Sequence, residues 1–224
     1  IGDKRFRIGE TEILLYYGKP SPYNVAQEIY IDMIPVTDYI TSGVWQIILN
    51  PTRVVEGQYD LWLPSENVLN RGTGFLYPDE EVTLTIPSTA DKVISVGAYD
   101  ALTFSYASFS GRGYTWQDER TKPDLVAPGV NVRTTAVGGG VTVVSGTSFA
   151  TPFVTGASAL LMEWGIVRGN DPFLYGEKVK AYLRRGAKKL PGISEYPNPM
   201  VGYGEDVIIR LRRKNRKNAK TTSD

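Results

Sequence analysis

The chain has 224 residues, 42% of them hydrophobic, and a formal net charge of +1, so it is long enough to bury a substantial core. It contains no cysteine and no histidine, which excludes disulfides, thiolate or imidazole metal sites, and a histidine base within this sequence. No apolar run reaches the roughly 18–20 residues that cross a bilayer, so we expect a soluble chain with no membrane contact.

Basic residues are concentrated at the C-terminal end. Residues 210–224 contain seven Lys or Arg against one acidic residue and no aromatic residue. Such a segment repels itself and lacks the apolar surface needed to fold. We therefore interpret residues 206–224 as a disordered, solvated tail. Contact with nucleic acid or an anionic surface is the less favoured alternative, and we expect no nucleic-acid partner.

The N-terminal region, residues 1–86, is dominated by apolar residues that alternate with polar ones. Three runs show the pattern, and Gly, Pro, Asn and Asp separate them: Ile29, Ile31 and Met33; Tyr59, Leu61 and Leu63; Val82, Leu84 and Ile86. Alternation with period two predicts half-buried antiparallel strands. We predict a β-sandwich or jelly roll. Because the alternation is complete within the segment, we also expect it to fold independently.

Three aromatic residues of this region, Trp45, Tyr59 and Trp62, could line a binding face. They raise the hypothesis of a carbohydrate- or cell-wall-binding module. Aromatic residues in alternating strands more often belong to a core, and we favour that interpretation.

The pattern changes after Pro87. The run KVISVGAYD, residues 92–100, is nearly continuous in apolar residues, which is typical of a strand covered on both faces. Further along, Pro128 and Gly129 predict a turn between two short extended segments. The run VTVVSGTS then predicts a strand that leads directly into a helix.

Two helices are predicted in the remaining sequence. The first has an apolar face spaced as in an α-helix and few charges elsewhere, so we expect it to be buried all round; Phe153, Ala157, Leu160, Leu161 and Trp164 form this face. Pro152 lies in its first turn, where proline is tolerated. The second helix is expected over residues 172–185, with Val179, Tyr182 and Leu183 as its apolar stripe and Gly186 as its C-terminal cap.

The sequence SGTSFATP places Ser148 at the corner between the predicted strand and the first helix. Unpaired N–H groups and the positive end of the helix dipole favour an anion that develops there. The small residues Gly146 and Ala150 leave room for a substrate backbone. The alternative interpretation is that Ser148 is only an N-cap, a common role for serine.

Four segments together resemble the subtilisin-like serine proteases, the subtilases. GTSFATPFVTGASALL resembles the segment that carries the nucleophile in that family. PSTADKVISVGAYD, FSYASFSGRG and KPDLVAPGVNV resemble segments that precede it, in the same order. The resemblance covers residues 87–204.

The resemblance implies an α/β, three-layer subtilisin-like fold with a parallel sheet, of which residues 87–205 would form the C-terminal half. Ser148 would be the acylated nucleophile of a serine endopeptidase, and its backbone N–H would donate to the oxyanion hole. Thr147 would support the same site. The family's catalytic Asp and His and its oxyanion Asn precede the serine and are absent from this chain. We therefore expect a piece of a longer product, inactive alone.

Residues 1–86 would then be an insertion in front of the family's core strand, which resembles the arrangement in clostridial spore-germination proteases.

The implied partners are a polypeptide substrate and either the complementary N-terminal segment or a second copy of this chain. No cofactor is evident, and calcium is implied by the resemblance alone. The alternative to a protease is a pseudoprotease that binds a partner without hydrolysis.

Overall fold

A computed structural model describes residues 2–22, 26–55, 57, 59–64, 68–113 and 121–206 of the chain. The chain divides into two structural units, Ile1–Gly74 and Phe75–Asp224. Residues 75–86, which the sequence pattern grouped with the N-terminal region, belong to the second unit. The predicted basic tail, apart from Asp206, lies outside the described residues.

The first unit contains a three-stranded antiparallel sheet. Its strands are β1 (Gly2–Ile8), β2 (Thr11–Tyr17) and β3 (Ile29–Pro35), with β2 in the centre. Ile8 pairs with Thr11 across a two-residue turn, where Gly9 has a φ of 56° that glycine adopts without strain.

Few side chains of this unit are buried. Thr11 and Ile13 of β2 are buried, whereas every residue of β1 is exposed. The backbone N–H of Thr41 donates to the Thr11 hydroxyl at 2.7 Å, and the N–H of Glu10 donates to the Thr41 hydroxyl at 3.0 Å. These two bonds attach the chain after β3 to the β1–β2 turn.

The predicted strand that contains Ile29, Ile31 and Met33 is confirmed as β3, but the burial of its residues does not alternate. Neither residues 59–63 nor residues 82–86 form a strand. The expectation that Trp45, Tyr59 and Trp62 are core residues is wrong, since 37%, 67% and 59% of their surfaces are exposed. The larger β-sandwich or jelly roll stays a prediction.

The second unit contains the parallel strands that the continuous apolar run predicted. Strands β4 (Val96–Asp100) and β6 (Leu125–Pro128) pair in parallel, and β5 (Ser105–Tyr106) lies antiparallel on the other side of β4. A separate hairpin follows, formed by β7 (Val132–Thr135) and β8 (Val141–Val144). The fold is α/β.

Helix α1 (Thr147–Met162) packs on this sheet and continues into a π-helical turn, Glu163–Val167; helix α2 (Gly176–Gly186) follows. The core is formed by small and branched residues from both layers: Ala98, Leu125, Ala127, Ala150, Val154, Ala157, Leu161, Leu174, Val179 and Leu183. Small residues on the helix allow its backbone to approach the sheet closely.

The expectation that α1 is buried all round is wrong in this chain. Its buried face carries Ala150, Val154, Ala157 and Leu161, whereas Phe153, Leu160 and Trp164 are 43%, 40% and 38% exposed. Only one stripe of the helix meets the sheet, so the predicted apolar face was rotated relative to the observed one.

The helical stretch Thr147–Val167 has 21 residues and a mean hydropathy of 1.2, enough by length and composition to cross a membrane. This corrects the expectation that no segment reaches that length. The evidence for a membrane span is weak, because one side of this stretch packs into the core as in the central helix of a globular domain.

Helix α2 begins at Gly176, four residues later than predicted. Val179 and Leu183 are buried as predicted, whereas Tyr182 is 38% exposed. Gly186 is the last helical residue and not the cap, because Ala187 takes the C-cap position with an extended conformation.

Candidate functional site

The predicted corner before α1 is attached to the carboxyl ends of the parallel strands. Strand β8 ends at Val144 and α1 begins at Thr147. The N–H of Gly146 donates to the carbonyl of Gly129 at 2.8 Å, and the N–H of Gly129 donates to the carbonyl of Tyr99 at 3.0 Å. The corner therefore lies at the carboxyl edge of the parallel pair, where α/β proteins place their ligand sites.

Only glycine fits at position 129. A Cβ atom built there would lie 2.5 Å from the Cβ of Ala98 and 3.1 Å from the carbonyl oxygen of Gly146. The predicted Pro128-Gly129 turn is confirmed, and its glycine is what lets strand β4, the turn and the corner before α1 approach one another.

A second contact holds the corner from the same loop. The N–H of Asn131 donates to the hydroxyl of Ser145 at 2.9 Å. Asn131 has a φ of 51°, in the left-handed region that asparagine adopts more readily than most residues. The two residues before α1, Ser145 and Gly146, are thus both bonded to residues 129–131.

Ser148 is the second residue of α1, and it is exposed. Gly146 is the N-cap, with a φ of 151° and no side-chain capping bond. The interpretation of Ser148 as an N-cap is therefore wrong. Among the described residues the Ser148 hydroxyl has no hydrogen-bond partner.

The start of α1 favours negative charge. The first N–H groups of a helix have no partner within the helix, and the dipole adds a positive partial charge there. The first turn carries no acidic residue to oppose an incoming anion. Thr147 is half-buried beside Ser148, and its carbonyl accepts a hydrogen bond from the Thr151 hydroxyl at 3.0 Å.

The described residues do not offer a carboxylate-rich metal site. Among them, no group of three or more Asp, Glu, His or Cys side chains lies close enough to hold one ion. Calcium prefers several carboxylate and carbonyl oxygens, so these residues do not fit a typical calcium site. The calcium expectation stays a prediction from the resemblance.

Sequence reasoning missed a buried ionic cluster at the start of β6, between this strand and α2. Asp124 is fully buried, and both guanidinium nitrogens Nε and Nη2 of Arg184 donate to its Oδ1. Lys180 lies 3.2 Å from the same oxygen, and the Nζ of Lys122 lies 3.9 Å from Oδ2. The adjacent charges in the sequence KPD were the available signal, but the partners on α2 are about 60 residues away.

Comparison with known proteins places the second unit in a family. The profile of the subtilase family matches residues 76–204, more than half of the chain. The serine protease AprX of Bacillus subtilis is 34% identical over 132 residues, which are 50% of this chain and 28% of AprX. The mouse membrane-bound transcription factor site-1 protease is 36% identical over 133 residues, 57% of this chain and 12% of that protein.

The chain belongs to the subtilase family. Among solved structures it is similar to the CspB protease of Clostridium perfringens, with a TM-score of 0.81 and 44% identity, covering 96% of this chain and 45% of that one. The predicted resemblance to clostridial proteases is confirmed by this match. The chain spans less than half the length of each of these relatives.

Proposed function

We propose that the protein is a serine endopeptidase in which Ser148 forms the acyl-enzyme. The observation that carries this proposal is the exposed Ser148 in the first turn of α1, bonded through Gly146 and Gly129 to the carboxyl edge of the sheet. Membership of the subtilase family supports it, since the serine proteases among its relatives act on polypeptides.

In the proposed reaction the Ser148 hydroxyl attacks the scissile carbonyl and passes its proton to a histidine supplied by another segment. The oxyanion that forms is held by the backbone N–H of Ser148 together with a side-chain donor from that segment. Thr147 supports the position of Ser148. The histidine returns the proton to the leaving amine, and water then releases the acyl group.

Residues outside this chain would supply the Asp, the His and the oxyanion Asn. Two observations support this part of the proposal. The chain lacks histidine, and it covers only 45% of the CspB protease at a TM-score of 0.81. On this view residues 87–205 are the C-terminal half of the peptidase domain, residues 1–86 an inserted jelly roll, and residues 206–224 a basic tail.

The exposed side of α1 is the surface that the complementary segment would cover. Phe153 and Leu160 of α1 and Trp164 of the π-helical turn are each about 40% exposed, and contiguous exposed apolar side chains often mark an interaction surface. Burial of such surface contributes roughly 25 cal/mol per Å². Assembly would therefore be driven by the same apolar contact that brings a histidine to Ser148. Alternatively, a second copy of this chain would cover the exposed side of α1.

Hydrolysis of a chromogenic peptide tests this proposal. The chain alone should be inactive, because loss of the catalytic histidine costs about 10⁶-fold in turnover in subtilisin. Co-expression with the complementary segment should give activity that is lost in Ser148→Ala and retained in Ser158→Ala, whose hydroxyl donates to the Val154 carbonyl within α1. A folded complex that binds peptides but does not cleave them would favour the pseudoprotease.

A further inference from the structure

Residues 44–49 form an exposed apolar segment in the first unit. The run VWQIIL contains five apolar residues and Gln46, and residues 39–52 carry no charge. Every residue from 42 to 55 is exposed. The largest exposed fractions in the segment are 81%, 59%, 70% and 56%, for Val44, Ile47, Ile48 and Leu49. Apolar side chains of this size that occur together on a surface commonly mark an interaction site.

The backbone of this segment is also unpaired. Among the described residues, no backbone N–H or carbonyl group of residues 44–49 takes part in a hydrogen bond, and the segment lies outside the helices and strands. At its start the indole N–H of Trp45 donates to the carbonyl of Thr41 at 3.0 Å. The segment therefore presents both apolar side chains and free backbone groups to solvent.

The composition of the segment is that of a strand with two apolar faces. Valine, isoleucine and tryptophan favour strands. In an extended conformation the side chains at positions 45, 47 and 49 would project from one face and those at 44, 46 and 48 from the other. A six-residue run that is uncharged, rich in β-branched residues and free of Pro and Gly is typical of chains that pair with copies of themselves.

An identical segment is the partner that fits best. When identical strands stack in register, each apolar side chain meets its own copy, and the Gln46 amides form a ladder of hydrogen bonds. Like charges would repel one another in such a stack, and this segment has none. The free edges of the sheet in the same unit fit less well, because Arg5 lies in the middle of β1 and Asp32 in the middle of β3. Charges on edge strands oppose the addition of an apolar strand.

We infer that residues 44–49 are a self-association segment, through which copies of this chain pair strand to strand into a cross-β assembly. A strand has two edges, so each added copy leaves one edge free for the next copy. Assembly through this segment is therefore open-ended and does not stop at a dimer. The inference does not rest on the proposed peptidase, because it uses only residues of the first unit.

The test compares the assembly of the whole chain and two variants, by thioflavin T fluorescence and sedimentation at increasing protein concentration. Ile48→Lys places a charge inside the segment, where stacked copies would repel one another. Val137→Lys is the matched control, because it puts the same charge at a fully exposed valine between β7 and β8. We expect wild type and Val137→Lys to assemble at the same concentration, and Ile48→Lys to need a concentration about tenfold higher.

Two further measurements locate the contact. Hydrogen–deuterium exchange of the assembled wild type should show protected amides at residues 44–49. Fibre diffraction should show the spacings of paired strands and stacked sheets, about 4.7 Å and about 10 Å. Circular dichroism before assembly should be the same for the wild type and both variants, since each substitution replaces an exposed side chain.

Four results would overturn the inference. The first is equal assembly of Ile48→Lys and Val137→Lys, and the second is a wild-type chain that stays monomeric up to about 1 mM. The third is an assembly in which α1 is protected from exchange and residues 44–49 are not. The fourth is protection of residues 44–49 by the complementary segment without assembly, which would identify that segment as the partner. No readout depends on Ser148 or on hydrolysis.

Discussion

Each of the two units contains a three-stranded sheet, but the strand residues are buried to very different extents in the two sheets. In the second unit three strand residues are completely buried in the core that the sheet forms with α1: Ala98, Leu125 and Ala127. In the first unit β1 is exposed along its whole length. The difference lies in the partner, because α1 covers β4 and β6 within the same unit. A sheet paired by hydrogen bonds alone, without a covering layer, has little to stabilise it.

Separating the two units should have the largest effect on thermal unfolding. A fragment of residues 1–74 buries few apolar side chains, so we now expect it to lack a cooperative thermal melt, contrary to the expectation from alternation alone. A fragment of residues 75–206 should retain a cooperative transition, because it contains the shared core of sheet and helices. Circular dichroism during heating measures both. A sharp transition in the shorter fragment would show that the sheet is sufficient by itself.

Within the second unit, Asp124→Asn should be the most damaging single substitution. It would leave Lys180 and Lys122 buried, and Arg184 half-buried, without their carboxylate, and breaking a buried pair costs about 3–5 kcal/mol. Asp100, whose carboxylate accepts one backbone hydrogen bond from Leu102, provides the control. Because the amide oxygen of Asn can still accept this bond, we expect Asp100→Asn to cost less than about 1 kcal/mol. Urea unfolding measures both, and equal costs would mean that the cluster contributes no more than a single hydrogen bond.

A pair of apolar truncations compares the two sheets directly. Leu125 is fully buried, so Leu125→Ala should lower the free energy of unfolding by about 2–5 kcal/mol. Phe6 on β1 is 45% exposed, and Phe6→Ala should change it by about 0.5 kcal/mol. Chemical denaturation of both variants measures the difference. A larger cost at Phe6 would show that β1 is covered in solution by a partner.

The smallest effect should come from the partly buried ion pair after α1, in which the side chains of Lys178 and Asp171 are 37% and 12% exposed. A hydrogen bond from Lys178 to Asp171, 2.6 Å long, holds the pKa of Asp171 below its ordinary value. A lowered folded-state pKa stabilises the fold above the ordinary Asp pKa, about 3.9, and this contribution is lost as the pH falls through the folded-state value.

Asp171→Asn should therefore lower the melting temperature slightly at pH 7 and not at all near pH 2. Lys178→Met should show the same pH dependence, since it removes the other partner. Melting curves between pH 2 and pH 7 measure both variants. A difference from wild type that is the same at every pH would assign the effect to packing.

The sequence predicted elements well where one physical signal dominated. The continuous apolar run before Asp100 predicted a buried parallel strand, and the run VTVVSGTS predicted where a strand leads into α1. The same reasoning misplaced the buried face of α1, because Phe153 and Trp164 are the largest apolar residues yet point away from the sheet. The small residues Ala150 and Ala157 lie on the buried face instead, where they leave room for close helix–sheet contact.

The remaining errors share one cause. Burial of Asp124 depends on Arg184 and Lys180, and Trp45 is exposed because the described part of the first unit has a single sheet without a second layer. Both are decided by contacts between residues distant in sequence, and local patterns carry no information on them. At the site, the resemblance to the subtilases singled out Ser148 over the N-cap interpretation, whereas its attachment through Gly129 required the structure.

Labelling with a fluorophosphonate tests the central proposal, that Ser148 is a peptidase nucleophile completed by another segment. The chain is incubated with the probe alone and together with the complementary segment, and the labelled residue is mapped by mass spectrometry. We expect labelling of Ser148 only in the complex, none in Ser148→Ala, and unchanged labelling in Ser158→Ala. A well-folded complex that contains the histidine and leaves Ser148 unlabelled would contradict the proposal.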